Sequence, residues 1–175
     1  MKIILLMATT LDGKIGKDSD HFPDWTGPED KKNFVKITKE AGVIIMGSKT
    51  FDTIKKPLPG RKNIVMTRDK NKISKWEDLE YTSDSPEKII ENLKKQNYKK
   101  AILAGGTTIN TLFAKKNLID EIIITVCPKI FGTGLALFDE SISMNLKLKK
   151  IEKLEKNTIS LHYKCKNTNY NKNKN

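Results

Sequence analysis

The chain has 175 residues, 37% of them hydrophobic and 31% charged, with a formal net charge of +12 at pH 7. That length suits one domain with a proper core, and the composition suits a folded, well-solvated body. No apolar run approaches the roughly 20 residues of a membrane span, and the positive charge is nearly all lysine, without an arginine-rich stripe or interleaved aromatics, so specific nucleic-acid binding is set aside and attraction for small polyanions is kept.

The opening "KIILLMATT" reads as a buried first strand, not as a signal peptide, because no small-residue cleavage site follows it. An Asp12-Gly13 turn and a loop over residues 11–25 lead to a helix from Pro28 to Ala41. Thr26 is expected to cap it, with Pro28 in the first turn and Glu29 completing a capping box. The apolar stripe of this helix runs through Phe34, Ile37 and Ala41. Asp30, four residues before Phe34, falls on the same stripe, which is an unusual place for a carboxylate. Strand "VIIMG", a short helix "KTFDTI", a "KPLPGR" turn and strand "KNIVMT" follow. Next come helix "SPEKIIENLKKQ", capped by Ser85, strand "KAILAGG", helix "TTINTLFAKK" and the long strand "DEIIITVCPKI". After a loop holding Gly132 and Gly134, "LKLKKIEKLEK" and "TISLHYKC" form an antiparallel pair around Asn157. The expected architecture is a single α/β domain over residues 1–166, a mostly parallel sheet with helices on both faces and an antiparallel carboxyl-terminal hairpin. Residues 167–175 are expected to be a disordered Lys/Asn-rich tail.

In such a sheet, ligands collect at the carboxyl ends of the strands. "VIIMG" ends at Gly47 and runs into Ser48, Lys49 and Thr50; "KNIVM" ends at Thr67 and Arg68. "KAILA" ends at Ala104 and is followed by Gly105, Gly106, Thr107 and Thr108. Two helix starts, Lys49 and Arg68 make a cradle for several phosphates, although neither a Gly-x-Gly-x-x-Gly nor a Walker sequence is present. Arg61 and Arg68 are the only arginines, both in "PLPGRKNIVMTR", where a planar fork suits a carboxylate or phosphate. Cys127 and Cys165 lack metal-ligand or redox spacing, and His21 and His162 have no metal-like partners. No metal site and a reduced, cytoplasmic setting are expected.

The segment "MGSKTFDTIKKPLPGRKNIVMTR" resembles the core signature of the dihydrofolate reductases. The similarity extends to "DGKIG", Trp25, "PEDKKNF", "ILAGG" and Thr125. The resemblance implies NADPH as hydride donor and dihydrofolate as substrate, with hydride reaching C6 and a proton reaching N5. It places Asp30 as the acid of the pterin pocket, Thr125 as the hydroxyl that orients it, and Trp25 beside them. Phe34 and Ile54 become walls around the pterin and benzoyl rings, Leu58 packs on the benzoyl group, and Arg61 holds the glutamate α-carboxylate. On the cofactor side it implies Ala8, Ile15 and Gly16 at the nicotinamide, and Gly47, Lys49 and Thr50 towards the pyrophosphate. Thr67 and Arg68 fall at the 2′-phosphate. Ala104 and a cis Gly105-Gly106, with Thr107 and Thr108, fall against the cofactor backbone.

The sequence also departs from that pattern. "KDSDHFPD" replaces the usual approach to Trp25, Lys31 follows the acid where an apolar residue is usual, and Asn110 stands where an aromatic is common. "LIDEIIITVCPKIFGTG" resembles the reductase domain of riboflavin biosynthesis, which shares the fold and acts with NADPH on a ribosylaminopyrimidine phosphate. That reaction is the alternative. Asp30 together with Arg61 suits a pterin carrying a glutamate tail better than a ribityl phosphate. A non-catalytic nucleotide-binding or nucleic-acid-binding module is a third reading, and monomer and homodimer are both open.

Overall fold

Val43–Gly47 is buried at every position, as a strand covered on both faces must be. In the computed structural model, which describes residues 1–166, it is β3 of an eight-stranded sheet. The chain order is β1 (Lys2–Thr10), β2 (Lys14–Gly16), a 3-10 turn (Asp24–Thr26), α1 (Pro28–Ala41), β3, α2 (Ser48–Ile54), β4 (Lys62–Met66) and β5 (Leu79–Thr82). Then follow α3 (Pro86–Lys95), β6 (Lys100–Leu103), α4 (Thr107–Lys115), β7 (Glu121–Cys127), β8 (Leu135–Ala136), β9 (Asn145–Glu155) and β10 (Thr158–Lys166). The sheet order is β5-β4-β3-β6-β1-β7-β10-β9, parallel from β5 to β7 and closed by the antiparallel β10 and β9. The expected α/β architecture with its terminal hairpin is the one observed. Among the described residues no helix is long and apolar enough to cross a membrane, and the tail over residues 167–175 lies outside them.

Strand alternation divides the core in two. Ile3 and Leu5 join Ile89, Leu93, Phe113 and Ala114 from α3 and α4 on one face. Ile4 and Leu6 meet Phe34, Ile37, Ala41 and Phe51 from α1 and α2 on the other. The apolar stripe expected on α1 is therefore the one that packs.

One local expectation is corrected. Helix α1 does begin at Pro28, but its N-cap is Gly27, at φ 86° and ψ 163°, and no side chain caps it. Thr26 is drawn into the preceding 3-10 turn and buried there, so the capping box does not form. By contrast, Ser85 caps α3 as expected, accepting from the Lys88 N–H at 3.3 Å. The short strands β2, β5 and β8 were not expected. β2 and β8 pair with each other, and their backbones press so closely that a Cβ on Gly134 would lie 2.4 Å from the Gly16 carbonyl oxygen.

At the amino ends of the central strands sits a buried carboxylate, Glu121. It accepts from Lys2 Nζ at 2.9 Å, Lys149 Nζ at 3.1 Å and His162 Nε2 at 2.7 Å. His162 thus has a structural role at the amino ends of the strands. Burial pushes the Glu121 carboxyl up, but the three donors outweigh burial and hold it down to about 2. A carboxyl depressed from an ordinary 4.5 stabilises the fold above that value and loses its contribution as pH falls towards 2. Urea unfolding at pH 5 and pH 3 should therefore show on the order of 2 kcal/mol less stability at the lower pH. Glu121→Gln should flatten that difference; an unchanged slope in the variant would refute the assignment.

Candidate active site

The carboxyl ends of β1 and β7 lie side by side, with Ala8 in register with Thr125. Thr125 is fully buried, and α1 begins opposite it, bringing Asp30 to the same place. Asp30 is half-buried on the packed face of α1. Burial pushes its carboxyl above the ordinary aspartate range, while the hydroxyls of Thr125 and Thr26 and the Lys31 ammonium pull partly against that shift. The result is an acid that keeps its proton to a higher pH than a surface aspartate. Thr26 is expected from sequence to cap α1; it lies buried in the 3-10 turn instead, where its hydroxyl favours the ionised form of Asp30.

Two shielded polar atoms face unfinished business here. Thr125 Oγ1 influences Asp30 but closes no hydrogen bond of standard geometry, and Trp25 Nε1 also has no partner among the described residues. A buried polar group left unpaired costs about 1–3 kcal/mol. Water or a polar ligand can complete such a group. Phe34, Ile54 and Leu58 are half-buried against the α1 face of the core and supply apolar walls.

Arg61 is buried, only 5% exposed, beneath the 57–60 turn. Its Nη1 donates to Thr38 Oγ1, and its Nε and Nη2 donate to the Pro59 carbonyl at 3.1 and 3.0 Å. No carboxylate pairs with it among the described residues, and burial lowers the guanidinium pKa. Thr38 and Asn63, which sequence reading passed over, build this seat. Asn63 Nδ2 donates to the carbonyls of Leu58 and Arg61 at 3.0 and 2.9 Å, and its Oδ1 accepts from the Leu58 N–H at 2.9 Å. A fixed, desolvated guanidinium is a strong receptor for an anion arriving from outside.

A cleft of about 1240 Å³ gathers the residues expected at the phosphates: Gly47, Lys49, Thr50, Thr67, Arg68, Gly106, Thr107 and Thr108 all line it. The starts of α2 and α4 both open into it. Gly106 fits because a Cβ there would sit 3.3 Å from Thr50 Oγ1, and one on Gly47 would strike Ile109 at 2.9 Å. Lys49 and Arg68 are exposed cations on its wall. The Thr107 and Thr108 hydroxyls, however, turn to the carboxyl half of the chain, donating to the Ala136 carbonyl and the Asp139 carboxylate, both at 2.8 Å. Their contribution to an anion is therefore the backbone of the α4 start. The donor set as a whole fits a phosphate-bearing dinucleotide.

The remaining cofactor candidates sit at strand ends. The Gly105-Gly106 peptide is cis, and Gly105, at φ 89°, packs on Met7, whose Cε a Cβ would meet at 3.0 Å. Ala104 is buried, its N–H donating to Ile45 at 2.9 Å. Ile15 and Gly16 form β2. Asn110 is fully buried on α4, with Nδ2 donating to the Leu137 carbonyl at 3.0 Å. The atypical loop over residues 17–24 is tied down: His21 Nδ1 accepts from the Lys17 N–H at 3.0 Å, and its ring, Trp25 and Phe131 form an aromatic cluster. Lys17 Nζ lies 5.5 Å from the Phe131 ring centre.

A statistical model of the family described as dihydrofolate reductase matches residues 2–172. The chain belongs to the dihydrofolate reductase family. It is 31% identical over 170 residues to a dihydrofolate reductase of Lactococcus lactis, covering 87% of this chain and 98% of that one. It is 27% identical over 171 residues to YwjB, an uncharacterised protein of Bacillus subtilis, covering 93% and 97%. Its fold also matches that of a Shewanella protein ascribed to riboflavin biosynthesis, at 26% identity and a TM-score of 0.81 over 95% of this chain and 99% of that one. Family membership makes this a reductase of a small molecule, with features of both branches.

Proposed function

We propose that the protein reduces 7,8-dihydrofolate to 5,6,7,8-tetrahydrofolate with NADPH. The observation that carries this reading is Asp30: an acid on the packed face of α1, raised by burial, beside the buried Thr125 hydroxyl. A pterin offers an amino group and a ring N–H that a carboxylate at this position can accept. The same acid can hold the proton that the ring nitrogen finally takes, with the Thr125 and Thr26 hydroxyls beside it. Arg61 supplies the receptor for a glutamate α-carboxylate, and Leu58 and Ile54 line the path between them. NADPH, when bound, supplies the hydride; Lys49, Thr67, Arg68 and the two helix starts would hold its phosphates.

The 2′-phosphate assignment has its own test. Arg68→Gln should lower the preference for NADPH over NADH by about 10- to 100-fold, the value of one charged hydrogen-bonded contact. Equal losses with both cofactors would move Arg68 away from the 2′-phosphate.

The likeness of residues 118–134 to riboflavin reductases, together with the Shewanella structure, supports a second reading: reduction of a ribosylaminopyrimidine phosphate. Purified protein would be assayed for loss of NADPH absorbance with each substrate separately. Turnover of dihydrofolate alone supports the proposal. Turnover of the ribosylaminopyrimidine alone overturns it and makes the carboxyl half the guide to the substrate.

A further inference from the structure

A basic cavity lies at the opposite end of the strands, about 20 Å from Ala8 at the rise of a parallel strand. It measures about 680 Å³ and is lined by Lys2, Lys147, Lys149, Lys164 and Lys166, with Asp120, Glu121 and Cys165. We infer that this cavity binds a small polyanion carrying two or more phosphate groups.

The reasoning starts from the register of the terminal hairpin. Lys164 of β10 stands directly opposite Lys147 of β9. Like charges facing across an antiparallel pair repel, and sheets generally avoid the arrangement. On its other side Lys164 faces Glu121, which is the obvious neutraliser. That carboxylate is already committed: Oε1 accepts from Lys2 and Lys149, and Oε2 from His162. Asp120 is likewise occupied, its Oδ2 accepting from the Ile3 N–H at 2.8 Å. Among the described residues, Lys147, Lys164 and Lys166 have no ion-pair or hydrogen-bond partner.

Five ammonium groups against two carboxylates leave the cavity strongly positive. Glu121 also fixes the ends of Lys2 and Lys149 close together, which reduces the ordering a ligand must impose. Ammonium groups act as point donors that suit phosphate oxygens, whereas flat carboxylate recognition favours arginine forks, of which the cavity has none. No aromatic side chain lines it, so it offers nothing for a nucleobase to stack on. Recognition is of the phosphate chain.

Tripolyphosphate is the probe, titrated calorimetrically into the full chain. Three variants separate the sources of binding. Lys147→Gln/Lys164→Gln/Lys166→Gln empties the cavity of its unpaired charge. Lys56→Gln/Lys94→Gln/Lys129→Gln removes the same charge elsewhere, and Lys49→Gln/Arg68→Gln blunts the cleft at the carboxyl ends. The cavity variant should lose about tenfold or more in affinity, and the other two should retain a tripolyphosphate site of native strength. Lys164→Gln alone should show a smaller loss in the same direction and guards against a folding defect in the triple variant. Undiminished binding in the cavity variant overturns the inference, as does equal loss in the charge-matched control or loss only in the cleft variant. Binding of a single-stranded oligonucleotide without binding of tripolyphosphate would also overturn it.

Discussion

Replacing Asp30 with asparagine is expected to lower kcat for dihydrofolate reduction by about 10²- to 10⁴-fold, the range for losing a positioned acid. Asparagine keeps the size of the side chain and can still reach Thr125 and Thr26, but it holds no transferable proton. Burial raises the Asp30 carboxyl above the ordinary range, so the native rate should fall as pH climbs through that raised value. The variant should lack this limb. The stability effect has the opposite sign. The unfolded chain ionises Asp30 more readily than the folded one, so native stability declines as pH rises through the unfolded value and on to the folded one. At neutral pH the asparagine variant should therefore unfold at a higher temperature while being nearly inactive. A variant that is both inactive and less stable would point to a packing role in place of an acid.

The second large effect concerns Arg61. Arg61→Lys keeps the charge but removes the planar fork and its contacts to Thr38 and Pro59. KM for dihydrofolate should rise by about 10- to 100-fold, as expected for losing a charge-assisted pair. A dihydropterin without the glutamate tail should be reduced by both proteins with the same kcat/KM. If the short substrate suffers equally, the arginine acts by supporting α1 and the 57–60 turn and does not receive a carboxylate. The riboflavin-type reading makes a different forecast, because its substrate has no such tail.

The parts legible in the sequence were those fixed by short-range pattern. The strands β3, β4, β6 and β7 are apolar runs bounded by clear breakers, and their ends place Gly47, Thr67 and Gly105 without further information. Asp30 was legible because helical periodicity alone sets it on the Phe34 face. Edge strand β5, "LEYT", was hidden because an edge strand with one buried residue has little alternation to read. Thr26 was misread because Gly27 adopts a positive φ and takes the capping position, releasing the threonine inward. The inward set of Arg61 depends on Thr38 and Asn63. The hydroxyls of Thr107 and Thr108 are claimed by residues 29 and 31 positions later in the chain. Such pairings arise only after the sheet has assembled, so no local motif announces them.

The contact of Gly134 with Gly16 ties two loops distant in the chain into one unit. A side chain at 134 would collide with a backbone oxygen, which cannot move aside as the end of a flexible side chain can. The segment carrying Phe131 and the segment carrying His21 and Trp25 consequently share one fate. Any side chain at 134 would force the β2–β8 seam apart and with it the link between the two segments. The two stretches, more than a hundred residues apart in the chain, are thus held as one structural part.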